Sequence, residues 1–89
     1  MLNQFILVGR VYEIKDLDRL VVKVPRAYKN ELGDYVDDYI ECILSPNFDT
    51  TLLKLEDIVG IKGRLQRDSV IGELQAYAEK ITFLSSKSE

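Results

Sequence analysis

Six basic and aromatic residues stand where a strand would turn them outward, or just past a strand's end. Lys62 and Arg64 alternate along the run Ile58–Arg67, and Lys23 is the outward residue of LVVKV. Arg26, Tyr28 and Lys29 follow Pro25, where a residue without an amide hydrogen ends regular pairing. Tyr39 adds a seventh, on the outward parity of a later run. Cations alternating with flat rings are what a single nucleic-acid strand requires, since phosphates need positive charge and unpaired bases need a surface to stack on. The same pattern also fits a solvated barrel face, where outward positions are commonly charged and tyrosines commonly sit at the rim.

Catalytic groups are scarce. The chain has no histidine, so the usual general base and the usual metal ligand are missing. Cys42 is the single thiol, has no histidine to activate it, and lies on the inward parity of its strand, as a small core residue would. Asp37 and Asp38 are neighbours in an extended segment, so their carboxylates diverge to opposite faces. Gly60-Ile-Lys-Gly63 has the GXXG spacing of a nucleic-acid clamp, but it falls inside a strand, where glycine marks close packing. No phosphate-cradling glycine loop is present. The expectation is a binding protein without enzymatic activity, cofactor or metal.

These residues sit in a chain of 89, room for one small domain. Apolar residues make up 46% and charged residues 30%, a composition that folds rather than staying disordered. The net charge of −3 is uneven. Residues 1–30 hold six basic and three acidic side chains, residues 31–49 hold six acidic and no basic ones, and residues 50–89 hold six of each. The acidic stretch Glu31–Glu41 would repel phosphate running over it. The apolar run Phe5–Val8 is too short for a signal sequence or a membrane span, so a soluble, cytoplasmic protein is expected.

Alternation of apolar and polar residues predicts five strands: Asn3–Tyr12, Leu20–Val24, Tyr35–Leu44, Ile58–Arg67 and Leu74–Leu84. Glu13–Arg19 reads as a polar turn, and Asn30–Asp34 and Asp68–Glu73 read as hairpin turns. Gly9 predicts a bulge or a close backbone approach. Ser45-Pro46 has the form of a helix start, predicting a short helix to Leu55 with Phe48, Leu52, Leu53 and Leu55 on its apolar face. The order β-β-β-α-β-β is that of the all-β OB-fold, a five-stranded Greek-key barrel with a short helix between strands 3 and 4. It would occupy residues 1–84, with 85–89 a frayed end.

Five segments, in order, resemble the bacterial single-stranded-DNA-binding proteins. Met1–Arg10 (MLNQFILVGR) looks like that family's opening strand, and Val22–Asn30 (VKVPRAYKN) resembles its second-strand exit. Asp38–Leu44 (DYIECIL), Ile61–Gln66 (IKGRLQ) and Ala78–Leu84 (AEKITFL) are similar to its later strands. The resemblance implies sequence-independent binding of single-stranded DNA in replication, recombination or repair. Tyr28 and Tyr39 fall on family aromatic positions. Arg10, Arg26, Lys29 and Arg64 fall on positions commonly basic, and Lys23 and Lys62 join them as candidate phosphate contacts. A homotetramer or homodimer, assembled partly through the N-terminal strand, is also implied. Phe5 and Leu7 on one face of that strand, Ile6 and Val8 on the other, fit burial on both sides.

The departures predict a smaller DNA footprint. The chain has no tryptophan, Ser45 and Val70 stand where the family places further rings, and the first connection and last hairpin are short. The family's glycine-rich linker and acidic tip are missing, as in a core fragment or a tail-less relative such as primosomal replication protein N or a phage or plasmid version. The alternative reading is an interaction module that pairs with replication proteins and binds DNA weakly or not at all.

Overall fold

A computed structural model describes residues 2–85. Five strands, β1 (Phe5–Lys15), β2 (Arg19–Pro25), β3 (Asp37–Ile43), β4 (Ile58–Arg67) and β5 (Leu74–Ser85), close in the order β1-β2-β3-β5-β4. All neighbours are antiparallel except β3 and β5, which close the barrel in parallel through Cys42–Ala76 and Ile43–Tyr77. This is the expected OB-fold barrel. The inward residues of four strands, Val11, Leu20, Val22, Cys42, Val59 and Ile61, are fully buried and form its core.

Three local expectations are corrected. β1 does not end at Tyr12 but continues to Lys15, and the turn contracts to Asp16–Asp18. Asp16 and Leu17 both have positive φ, 51° and 66°, which suits a tight hairpin turn whose twist matches the strands it joins. Neither is glycine, so the turn carries no glycine signal. β3 starts at Asp37, two residues later than expected, and ends at Ile43.

The helix expected over Ser45–Leu55 shrinks to one 3-10 turn, Thr50–Leu52. Ser45 forms a local turn instead: its hydroxyl accepts from the Asn47 amide (3.3 Å) and its carbonyl from that of Phe48 (3.0 Å). Asp49 then caps the 3-10 turn by accepting from the Thr51 amide at 3.0 Å. Short polar side chains that bond nearby backbone compete with a helix, and two β-branched threonines do not favour one. Leu53 is buried in the core, whereas Leu52 and Leu55 are exposed. Of the expected frayed end, Ser85 is the last residue of β5, and 86–89 lie outside the described residues.

Close approach, not turn chemistry, explains two strand glycines. At Gly9 a Cβ would lie 2.6 Å from the Lys23 carbonyl oxygen, while the bulge in β1 falls later, between Val11 and Glu13. At Gly63 a Cβ would overlap the Tyr77 carbonyl and lie 2.9 Å from the Phe5 ring. Gly60 faces outward and meets nothing nearer than Leu84 at 3.6 Å. Around it lie Ile6, Val8 and Leu84, all exposed, rimmed by Lys62 and Lys80.

Gly63→Ala is therefore expected to destabilise the fold by about 1–3 kcal/mol through overpacking. Gly60→Ala should be neutral or stabilising by up to about 1 kcal/mol, because alanine restricts the unfolded chain and meets open space here. Urea midpoints of the two variants check this, and equal costs would contradict the packing account.

Candidate nucleic-acid interface

The outward face of β1–β2–β3 is organised by register. Arg10 pairs with Lys23, and Lys23 with Tyr39, so the three side chains form one row across the strands. Inward neighbours Val11 and Val22 anchor the same strands in the core. A one-residue slip would exchange the two sets.

Tyr12 joins this row through the bulge between Val11 and Glu13. Its ring meets Tyr39 edge-on, with centroids 4.8 Å apart and planes at 64°. The two residues are 50% and 55% exposed, so ring surface remains open to solvent on both. Sequence reasoning missed Tyr12 because it stood at the end of the expected strand, although its parity with Arg10 was legible.

The segment after the 3-10 turn fixes Arg10. Glu56 and Asp57 dock along Val11, with the Glu56 amide donating to the Val11 carbonyl and the Val11 amide to that of Asp57, each at 2.9 Å. Glu56 has φ 74°, and its carbonyl accepts from the Arg10 guanidinium at 3.1 Å. Among the described residues Lys23 makes no ion pair and no side-chain hydrogen bond.

Beyond Pro25 the Arg26 amide still donates to the Val36 carbonyl at 3.0 Å, extending the pairing by one step. The Arg26 guanidinium grips Asp38 Oδ1 through Nε (2.9 Å) and Nη2 (2.8 Å). The Asp38 hydrogen bond, then its charge, push the Arg26 pKa above its ordinary value. The hairpin tip is tied by Asn30, whose side-chain oxygen accepts from the Leu32 and Asp34 amides. There Tyr28 is highly exposed, and Lys29 lies over the Tyr35 ring, 5.4 Å from its centre.

Two candidates lie elsewhere. Lys62 pairs with Ile6 on β1 and Lys80 on β5, on the opposite side of β1. Arg64 pairs with Tyr77 on β5 and is held by Glu79 (3.0 Å) and Gln66 (2.9 Å). Residues 10, 12, 23 and 39 thus share one face, 26, 28 and 29 lie on the β2–β3 hairpin, and 62 and 64 lie elsewhere. Cys42 is buried as expected, and burial pushes its thiol up to about 11, leaving no thiolate for chemistry near neutral pH.

Further along the same face Glu41 sits between two cations, 2.8 Å from Arg19 and 3.3 Å from Lys15. The Arg19 hydrogen bond outweighs the cost of partial burial and holds the Glu41 carboxyl below its usual pKa. A carboxyl depressed by folding stabilises above its unfolded pKa, and that contribution is lost as pH falls through the folded value. Stability should therefore decline less steeply in Glu41→Gln than in the parent as pH drops from about 5 to 3. Urea midpoints across that range test it, and parallel declines would refute it.

No protein-family model and no curated protein matches the sequence. Solved structures do match. The N-terminal domain of PriB from Thermoanaerobacter tencongensis, solved as a dimer, superposes with a TM-score of 0.67 at 20% identity, over 94% of this chain and 98% of that one. The yeast (S. cerevisiae) mitochondrial single-stranded-DNA-binding protein Rim1 gives 0.65 at 14% identity over 97% of both. The small single-stranded-DNA-binding protein of Streptomyces coelicolor gives 0.52 at 21%, over 93% and 94%. At these identities the shared property is the fold, and its neighbours are PriB and single-stranded-DNA-binding proteins.

Proposed function

We propose that this chain binds single-stranded DNA without reading its sequence and catalyses no reaction. The observation that carries the reading is the row Arg10–Lys23–Tyr39 with Tyr12 set edge-on against Tyr39. Exposed rings beside Lys23 and a tethered arginine provide stacking surface and phosphate attraction on one face. Arg26, Lys29 and Tyr28 add two cations and a ring on the hairpin beyond β2. Lys62, across β1, adds only long-range attraction. Fold neighbours that bind single-stranded DNA support the reading. The expected setting is the cytoplasm of a bacterium or of a phage-infected cell.

Titration of labelled oligo-dT at several salt concentrations tests this. With three or four cations per chain neutralising phosphates, the log–log salt slope should be roughly −2 to −3 per chain. Tyr39→Ala and Tyr12→Ala should each weaken binding roughly 5- to 150-fold, the effect of losing a stacked base. Lys62→Ala should change it little. The reading is falsified if oligo-dT fails to bind at low salt. A protein-interaction module that pairs with replication proteins would then take its place. One observation favours that second reading: Arg26 and Arg64 are already paired with acids, and Arg10 with a carbonyl.

The same proposal includes self-association through the outer side of β1. Ile6 is 70% exposed and Val8 half-exposed, beside Leu84, and exposed apolar side chains grouped in this way support an interface there. One fold neighbour was solved as a dimer. Analytical ultracentrifugation at micromolar concentration should give a dimer or tetramer, and Ile6→Glu with Val8→Glu should dissociate it. A parent that sediments as a 10.2 kDa monomer defeats this part.

A further inference from the structure

A second row of outward side chains crosses the barrel below the first. Lys15 pairs with Arg19, Arg19 with Ile43, Ile43 with Tyr77, and Tyr77 with Arg64. It is four residues along β3 from Tyr39, about 13 Å at the usual strand rise. The two rows are linked by Glu41, whose charge Lys15 and Arg19 offset.

At the far end of this row is a recess of ≈ 610 Å³, open to solvent. That size is typical of small-ligand sites. Its walls include Arg64, Tyr77, Ser45 and Pro46, with the acidic residues Asp18 and Glu79. The Arg64 guanidinium lies 5.1 Å from the centre of the Tyr77 ring. Glu79 and Gln66 each take one of its terminal nitrogens, and the Tyr77 hydroxyl donates to Gln75 at 3.1 Å. A guanidinium fixed in this way offers its free face to a flat ring.

The charge of the recess decides what fits. A phosphate would meet Asp18 and Glu79 and be repelled. A base edge with an exocyclic amino group would instead donate to them, as cytosine N4 does to a carboxylate, whereas thymine presents a carbonyl oxygen at that position. We propose that the Arg64–Tyr77 stack is a second base-binding subsite. It takes a cytosine-like base, amino edge toward Asp18 and Glu79, from the strand held at Tyr12 and Tyr39. The inference rests on the proposed single-strand binding and adds a base preference to it.

The test compares oligo-dC and oligo-dT of equal length at one salt concentration, on the intact protein. Oligo-dC should bind about 2- to 10-fold more tightly, the range of one or two added hydrogen bonds. Tyr77→Ala should weaken oligo-dC binding roughly 5-fold or more and bring the dC/dT ratio near one. Because Tyr77 is partly buried, Arg64→Met and the surface change Asp18→Ala carry the same test if Tyr77→Ala unfolds; each should also bring the ratio near one. Equal binding of the two oligomers by the parent, or a preference that survives these changes, overturns the subsite while leaving single-strand binding intact. Failure of both oligomers to bind removes the earlier reading and this one together.

Discussion

Everything on the surface of this protein depends on the closure of a narrow five-stranded barrel. A chain this small buries a limited core, and closure both completes that core and removes the open sheet edges. It is achieved where there is least room. Gly63 lies against the Tyr77 carbonyl and the Phe5 ring, and Gly9 against the Lys23 carbonyl. Those contacts tie β4 to β5 and β1 to β2 at a fixed depth. Because strand side chains alternate with a period of two, fixed depth also decides which residues reach solvent. Arg10, Lys23 and Tyr39 face outward together because Val11, Val22 and Cys42 cannot.

Much of this was legible in the residues. Five strands, their order and their buried parity follow from alternation. Val22 beside Lys23 and Cys42 beside Glu41 could point only one way. Pro25 marked the last residue of β2, although the Arg26 amide carries the pairing one step further. The β4 limits, Ile58–Arg67, coincide with the expected run because it is bounded by a loop and a hairpin turn.

What was not legible lacked a local signature or depended on partners distant in sequence. The β1–β2 turn uses Asp16 and Leu17 at positive φ, where glycine or asparagine would have announced it. Ser45-Pro46 imitated a helix start, but Asn47, Asp49 and the paired threonines diverted the backbone into local turns. The candidate site divides in the same way. Alternation gave Lys62 and Arg64 their outward direction, but which face each shares is set by the strands beside β4. The contacts Tyr12–Tyr39 and Arg64–Tyr77 link residues 27 and 13 positions apart in the chain, beyond the reach of any short motif.

Charge shows the same limit. The acidic run between residues 31 and 49 reads as a barrier to phosphate, yet folding divides it. Asp38 is taken up by Arg26, and Glu41 by Lys15 and Arg19. Glu31, Asp34 and Asp37 remain exposed on or beside the hairpin. Exposed ion pairs of this kind are weak, and a polyanion can compete for the cations that form them. The outward face of β1–β2–β3 therefore holds cations in place without committing them. A negative overall charge and a cation-bearing face are compatible because screening limits each surface charge to its neighbours within about 8–10 Å. The local arrangement, set by register, governs what can approach each part of the barrel.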